Sequence, residues 1–143
     1  MKLKSAAALR WFAFAALLAA TGVGLGAFGA HGLENVVRDT VSDPAKSLEH
    51  WGTANRYLLY HCFAIMIVAL ASLQLGFRRS FQISLSLFVI GIVLFSGSLY
   101  VLALTDFKKL GMIVPIGGLA QILGWFTFAL GLISASREGT KIQ

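Results

Sequence analysis

Four stretches of this 143-residue chain contain no aspartate, glutamate, lysine or arginine: residues 11–30, 57–77, 80–105 and 110–136. As helices rising about 1.5 Å per residue, each reaches across a hydrocarbon core of roughly 30 Å. Such a chain folds in a bilayer, because 57% hydrophobic and only 13% charged residues leave too little polar surface to cover a water-soluble fold.

The expected fold class is all-α: an integral membrane four-helix bundle in one domain. Its helices fall near residues 8–31, 54–77, 80–105 and 110–136, with an outer loop near 32–53. The short links at Arg78-Arg79 and residues 106–109 make sequential helices antiparallel neighbours, which gives an up-down-up-down order. Within the outer loop, Asp43-Pro44 reads as a helix N-cap with proline at the first helical position. Ser47, Leu48, Trp51 and Ala54 continue that pattern, so a short interfacial helix is expected between helices one and two, running into helix two. Trp51, Tyr57 and Tyr60 are expected at headgroup level. Lys2 and Lys4 ahead of the alanine-rich residues 6–20 resemble a secretory signal. The apolar run nevertheless continues to Ala30 without a polar stretch, which favours a retained helix.

The net charge of +6 comes from lysines and arginines that flank the apolar runs, and no basic face is interleaved with aromatics. That distribution describes membrane topology and argues against a nucleic-acid partner. Seven basic residues (Lys2, Lys4, Arg10, Arg78, Arg79, Arg137, Lys141) fall on one side and five (Arg38, Lys46, Arg56, Lys108, Lys109) on the other, which places both termini in the cytoplasm. The single cysteine, Cys62, excludes an intrachain disulfide and reads as a packing residue.

Helices in lipid gain little from hydrophobic burial and need close backbone approach. Gly22, Gly26 and Ala30 recur every four residues in helix one. Ser84, Gly91, Ser98 and Thr105 in helix three, and Gly117, Gly124 and Gly131 in helix four, recur every seven. A seven-residue repeat keeps one seam against a neighbour in a left-handed bundle. These small residues are packing candidates, within one chain or between copies.

Groups able to carry chemistry are few. His31, His61, Ser96, Ser98, Tyr100, Pro115 and Gln121 all fall in the outer half of the bundle or near its midplane, and Tyr57 precedes His61 by one turn. An ionisable residue inside a membrane is costly and marks a site or a buried partner, so His61 is the residue to single out. Pro115 lacks a backbone donor and is expected to kink helix four. This cluster reads as a hydrogen-bond network joining helices, as a pocket for a small ligand, ion or lipid headgroup, or as a metal or haem site. The last reading is weakest: no ligand spacing links His31 to His61, and every carboxylate lies in a loop or near the C-terminus. The same lack of a buried acid leaves no hydrolase constellation, so no catalytic residue, cofactor or metal is expected.

Four motifs occur in order: Gly26-Ala-Phe-Gly-Ala-His-Gly32; Trp51 with Thr53, Tyr57 and His61; Leu94-Phe-Ser-Gly-Ser-Leu-Tyr100 with Leu102-Ala-Leu104; and Pro115-Ile-Gly-Gly118 with Gly124-Trp125. Over roughly residues 17–132 the chain resembles domain-of-unknown-function family 423, small bacterial membrane proteins related to eukaryotic transmembrane protein 256. The resemblance implies four membrane helices, no established enzymatic activity, and a role in membrane integrity or stress tolerance. His31 and His61 match motif positions, His50 does not, and the outer loop is longer and more charged than in compact members. The expectation is a multi-pass protein of the bacterial inner membrane with no enzymatic activity, acting as an accessory or membrane-organising factor. Its partners would be the bilayer and another membrane protein or a second copy. The alternative is a binding or transport protein whose outward-facing polar pocket around His61 takes a small solute, a lipid headgroup or a proton.

Overall fold

The computed structural model describes the backbone of residues 2–140 and the side chains of residues 6–138; Lys141 and the side chains of Lys2 and Lys4, counted above for orientation, lie outside them. Among the described residues every regular element is helical: α1 (Lys2–His31), α2 (Leu33–Val37), α3 (Pro44–Leu75), α4 (Arg79–Gly91), a π-helical turn (Ile92–Gly97), α5 (Ser98–Thr105), a 3-10 turn (Lys108–Met112) and α6 (Val114–Thr140). Four membrane-length spans result: Ala6–His31, Pro44–Leu75, Arg79–Thr105 and Lys108–Glu138. The chain is therefore an all-α integral membrane protein with a short helix, α2, between its first two spans.

Local chemistry sets the element boundaries. At the start of α3 the Asp43 carboxylate accepts from the Lys46 amide at 3.0 Å, and Pro44 occupies a first-turn position whose amide would have no helical partner. From there α3 runs unbroken for 32 residues, about 48 Å at the helical rise. That length exceeds the hydrocarbon core, so the interfacial segment and the second span are one continuous rod. The third span ends where Asp106 turns left-handed (φ 54°) and its amide caps the Leu102 carbonyl at 3.0 Å. Aspartate is among the few residues other than glycine that adopt this conformation readily.

Two details depart from the sequence reading. The third span is not a uniform α-helix: it widens into the π turn at Ile92–Gly97, which hydrophobic periodicity does not reveal. Pro115 does not kink the fourth helix. It sits in the first turn of α6, where a missing amide disturbs nothing, and the preceding residues are in the 3-10 turn and Ile113.

The bundle is organised around α3. Half of its face is packed (44% of its apolar window is buried), whereas α1 buries only 11% of its own and lies as an outer helix along α3. Leu58, Cys62, Ile65 and Val68 of α3 meet Phe81, Leu85 and Phe88 of α4, Ile92 of the π turn, Phe128 of α6 and Ala15 of α1. A second cluster at the α2 end gathers Leu33, Val37, Trp51 and Ala103. At the opposite end Arg78 forms a two-point ion pair with Glu138, at 3.0 and 2.9 Å, tying the start of the third span to the end of the fourth.

The small residues lie at the helix crossings. A Cβ on Gly22 would stand 2.8 Å from Leu59, on Gly124 2.7 Å from Phe88, and on Gly131 2.7 Å from Phe81. Gly26 faces Asn55, Gly91 faces Gln121 and Gly117, and Gly117 lies against the backbone of Leu94 and Phe95. The contact at Gly117 is the least forgiving, since main chain cannot step aside as a side chain can. Gly117→Ala is expected to cost about 1–3 kcal/mol through overpacking and to lower the melting temperature in detergent. Gly24→Ala, whose Cβ meets nothing within 4 Å, should leave that temperature unchanged.

Candidate functional site

The polar side chains of the bundle interior collect in two neighbouring groups, both centred on α3. Nearer the α2 end, the Trp51 indole N–H donates to the Leu25 carbonyl at 2.9 Å. Its ring packs edgewise against Tyr100 (centroids 4.5 Å) and Phe28 (5.3 Å). Gly29 makes room for it, since a Cβ there would stand 2.6 Å from the indole. Tyr100 in turn donates its hydroxyl to Asn55 Oδ1 at 2.9 Å, and Ser47 donates to the Ala103 carbonyl at 2.7 Å. One tryptophan thus fastens α1 to α3, and the tyrosine and serine fasten α3 to α5. Only 5% exposed, Trp51 is an interior clamp whose indole N–H is satisfied by a carbonyl inside the protein.

Deeper along α3 lies His61, buried at 5% exposure. Its Nδ1 stands 2.8 Å from the Tyr57 carbonyl. A carbonyl only accepts, so Nδ1 carries a proton and donates to it. The ring lies near Phe88 (5.4 Å), Trp125 (6.5 Å) and, nearly parallel, Tyr57 (6.2 Å). Tyr57 meets it through its backbone and ring, while the tyrosine itself is 39% exposed and packs on Phe95 at 4.5 Å. Ser96 and Gln121 are buried, and Ser96 Oγ and Gln121 Nε2 have no hydrogen-bond partner among the described residues. Ser98 is buried on the same span. His31 closes α1 and is exposed, and Pro115 is exposed at the start of α6. The eight residues singled out from sequence therefore divide: Tyr57 and His61 are joined, Ser96, Ser98 and Gln121 lie in the interior of the third and fourth spans, Tyr100 belongs to the tryptophan group, and His31 and Pro115 stand apart at the surface.

Three polar fasteners escaped the sequence reading, Asn55, Ser47 and Ser84, whose hydroxyl donates to the Gly124 carbonyl at 2.9 Å, and so did Gly29, which makes room for Trp51. Asn55 carried a signal, being an amide just ahead of an uncharged run, one turn after Trp51. Gly29, three residues after Gly26, carried another: the pair is the mould for the Asn55 and Trp51 side chains. Serines gave none, because a hydroxyl bonded to a carbonyl on a neighbouring helix looks in sequence like any small residue.

Outside the spans, the Ser42 hydroxyl donates to the Asp106 carboxylate at 2.5 Å, linking the α2–α3 loop to the end of α5. That bond, helped by the Ser42 amide, Lys108 and His50, holds the Asp106 carboxyl below its ordinary range. Among the described residues, no three of His, Cys, Asp and Glu stand together as a metal group.

The comparisons with known proteins agree on one family. Residues 25–118 match the family model described as protein of unknown function (DUF423). The chain is 41% identical over 118 residues to the UPF0382 membrane protein YwdK of Bacillus subtilis, covering 82% of this chain and 91% of that one. A UPF0382 membrane protein of Haemophilus influenzae is 39% identical over 109 residues, 76% of this chain and 82% of its own. A eukaryotic one, from Schizosaccharomyces pombe, is 38% identical over 118 residues, 79% and 92% of the two chains. No solved structure matches.

Two outcomes test the geometry. Trp51→Phe keeps the ring but loses the indole N–H bond to the Leu25 carbonyl, which should cost about 0.5–1.5 kcal/mol and appear as a lower melting temperature in detergent. For Asp106, whose folded pKa is depressed, the stabilisation is complete above the unfolded value of about 3.9 and is lost as pH falls through the lower folded value. Thermal melts between pH 7 and pH 2 should show that acid loss in the native chain and less of it in Asp106→Asn.

Proposed function

Because the chain belongs to the membrane-protein family of unknown function DUF423, we propose that it works without catalysis, as an accessory or membrane-organising protein of the bacterial inner membrane with both termini in the cytoplasm. What supports this reading is how the interior polar groups are engaged. The indole of Trp51 and the hydroxyls of Ser47 and Ser84 bond main-chain carbonyls on neighbouring helices, the Tyr100 hydroxyl bonds Asn55 across α3 and α5, and the His61 ring bonds the carbonyl one turn before it. The Trp51, Ser47, Ser84 and Tyr100 groups are thereby committed to holding helices together. The thinly packed α1 supports a partner role, since it leaves one whole span available to lipid or to another membrane protein.

A second reading, binding or transport of a small solute or proton at His61, rests on one observation. Ser96 Oγ and Gln121 Nε2 are buried without partners, and Ser96 lies on the π turn, a distortion frequent at functional sites.

For the first reading, deletion should raise permeability of the membrane to a charged dye. The full chain, extracted with its own lipids, should run as a defined complex larger than one copy. A lone monomer with unchanged permeability overturns it. Orientation is tested by a membrane-impermeant maleimide on intact cells, which should label Asn35→Cys and spare Gln74→Cys. The second reading is lost if His61→Ala leaves proton and solute flux in proteoliposomes unchanged.

A further inference from the structure

A cavity of about 480 Å³ opens where the start of α3 meets the end of α5 and the 3-10 turn, apart from the His61 group. Small-molecule sites typically occupy roughly 300–1,000 Å³. Its polar lining is mixed: Asp43, Lys46 and His50 come from α3 and its cap, Asp106 and Lys108 from the opposite wall.

The two carboxylates and the two lysines are not paired off against each other. Asp43 uses one oxygen on the Lys46 amide, and Asp106 uses one on Ser42. The second oxygen of each accepts no hydrogen bond among the described residues, and neither lysine forms an ion pair with a carboxylate there. The cavity thus offers two free carboxylate oxygens and two free ammonium groups. A simple anion would meet Asp43 and Asp106, and a simple cation would meet Lys46 and Lys108. The complementary occupant carries both signs. It needs a primary ammonium, because only N–H groups can donate to carboxylate oxygens, and an anionic group such as a phosphodiester for the lysines.

The position selects the source. The cavity lies at the ends of spans that stop at Thr105 and resume at Lys108. Adjacent in sequence to its lining residues Asp106, Lys108 and Gly111 are two exposed apolar side chains, Phe107 at 54% and Met112 at 70%. Charged lining beside apolar side chains at a span end is the chemistry of the headgroup region. We infer that this cavity binds the headgroup of an aminophospholipid, a phosphatidylethanolamine-type zwitterion, with the ammonium on Asp43 and Asp106 and the phosphate on Lys46 and Lys108. The assignment stands on the membrane placement and the cavity, and is independent of the accessory role proposed above.

The test is native mass spectrometry of the full chain in micelles doped with equal amounts of phosphatidylethanolamine, phosphatidylcholine and phosphatidylglycerol. One bound phosphatidylethanolamine should survive in clear excess over the other two. Lys108→Gln and Asp106→Asn should each weaken its retention about tenfold, the loss of one charge-assisted hydrogen bond. Asparagine keeps an acceptor for Ser42 and tolerates the left-handed backbone, so that variant isolates the charge. Equal retention of phosphatidylcholine overturns ammonium recognition. Preference for phosphatidylglycerol makes this an anion site and overturns the proposal. Displacement by free phosphoethanolamine at concentrations matching the lipid overturns the lipid source, and retention unchanged in both variants removes the cavity from the binding.

Discussion

In hydrocarbon the aliphatic face of a helix is as well solvated by lipid as by another helix, so association depends on close approach and on hydrogen bonds across the gap. Both devices act together at the contacts in this protein. Gly26 and Gly29 let α3 come close enough for Trp51 to reach a carbonyl of α1, and Gly124 lets Phe88 in beside the bond that Ser84 makes to that same residue's carbonyl. Glycine and polar side chain therefore form paired elements, each of little use without the other.

That pairing explains the unequal roles of the helices. The long rod α3 carries Ser47, Trp51, Asn55 and His61 on its packed side, so it collects bonds to α1 and α5 and becomes the axis of the bundle. Helix α1 offers it glycines and one carbonyl and otherwise faces outward. The third and fourth spans hold each other through Gly91, Gly117, Gly124 and Gly131. The π turn falls where the backbone of Leu94 and Phe95 lies directly on Gly117, and it is here that Ser96 is left buried without a partner. The most distorted backbone and the unsatisfied hydroxyl thus occupy the same turn.

The charged residues obey a different logic, because they sit where water and headgroups can reach them. At one end Arg78 and Glu138 close the bundle with a direct ion pair. At the other, Asp43 and Asp106 are turned to capping and loop-tethering, and the lysines beside them form no ion pair among the described residues. An end held by backbone caps can leave its charges available for a ligand, whereas an end held by an ion pair cannot.

Span number, the cap at Asp43-Pro44 and the glycine seams were legible in the sequence, because each follows from local composition and from periodicity along one chain. The family motifs carried the same information in compressed form. What only the tertiary structure decided is which polar group meets which. Trp51 turned inward because a carbonyl of α1 lay within reach of its indole, and Pro115 falls in the first turn of α6 because the 3-10 turn before it ends at Met112. Tyr57 gave His61 its carbonyl and kept its hydroxyl out of that bond. The cavity between Asp43 and Asp106 joins residues 63 positions apart, by subtraction of their numbers, and exists only because α3 extends past the hydrocarbon and meets the end of α5. Sequence sets how many spans there are and what each carries, but the facing partner is set by rotation about the helix axis, which is settled only when the helices pack.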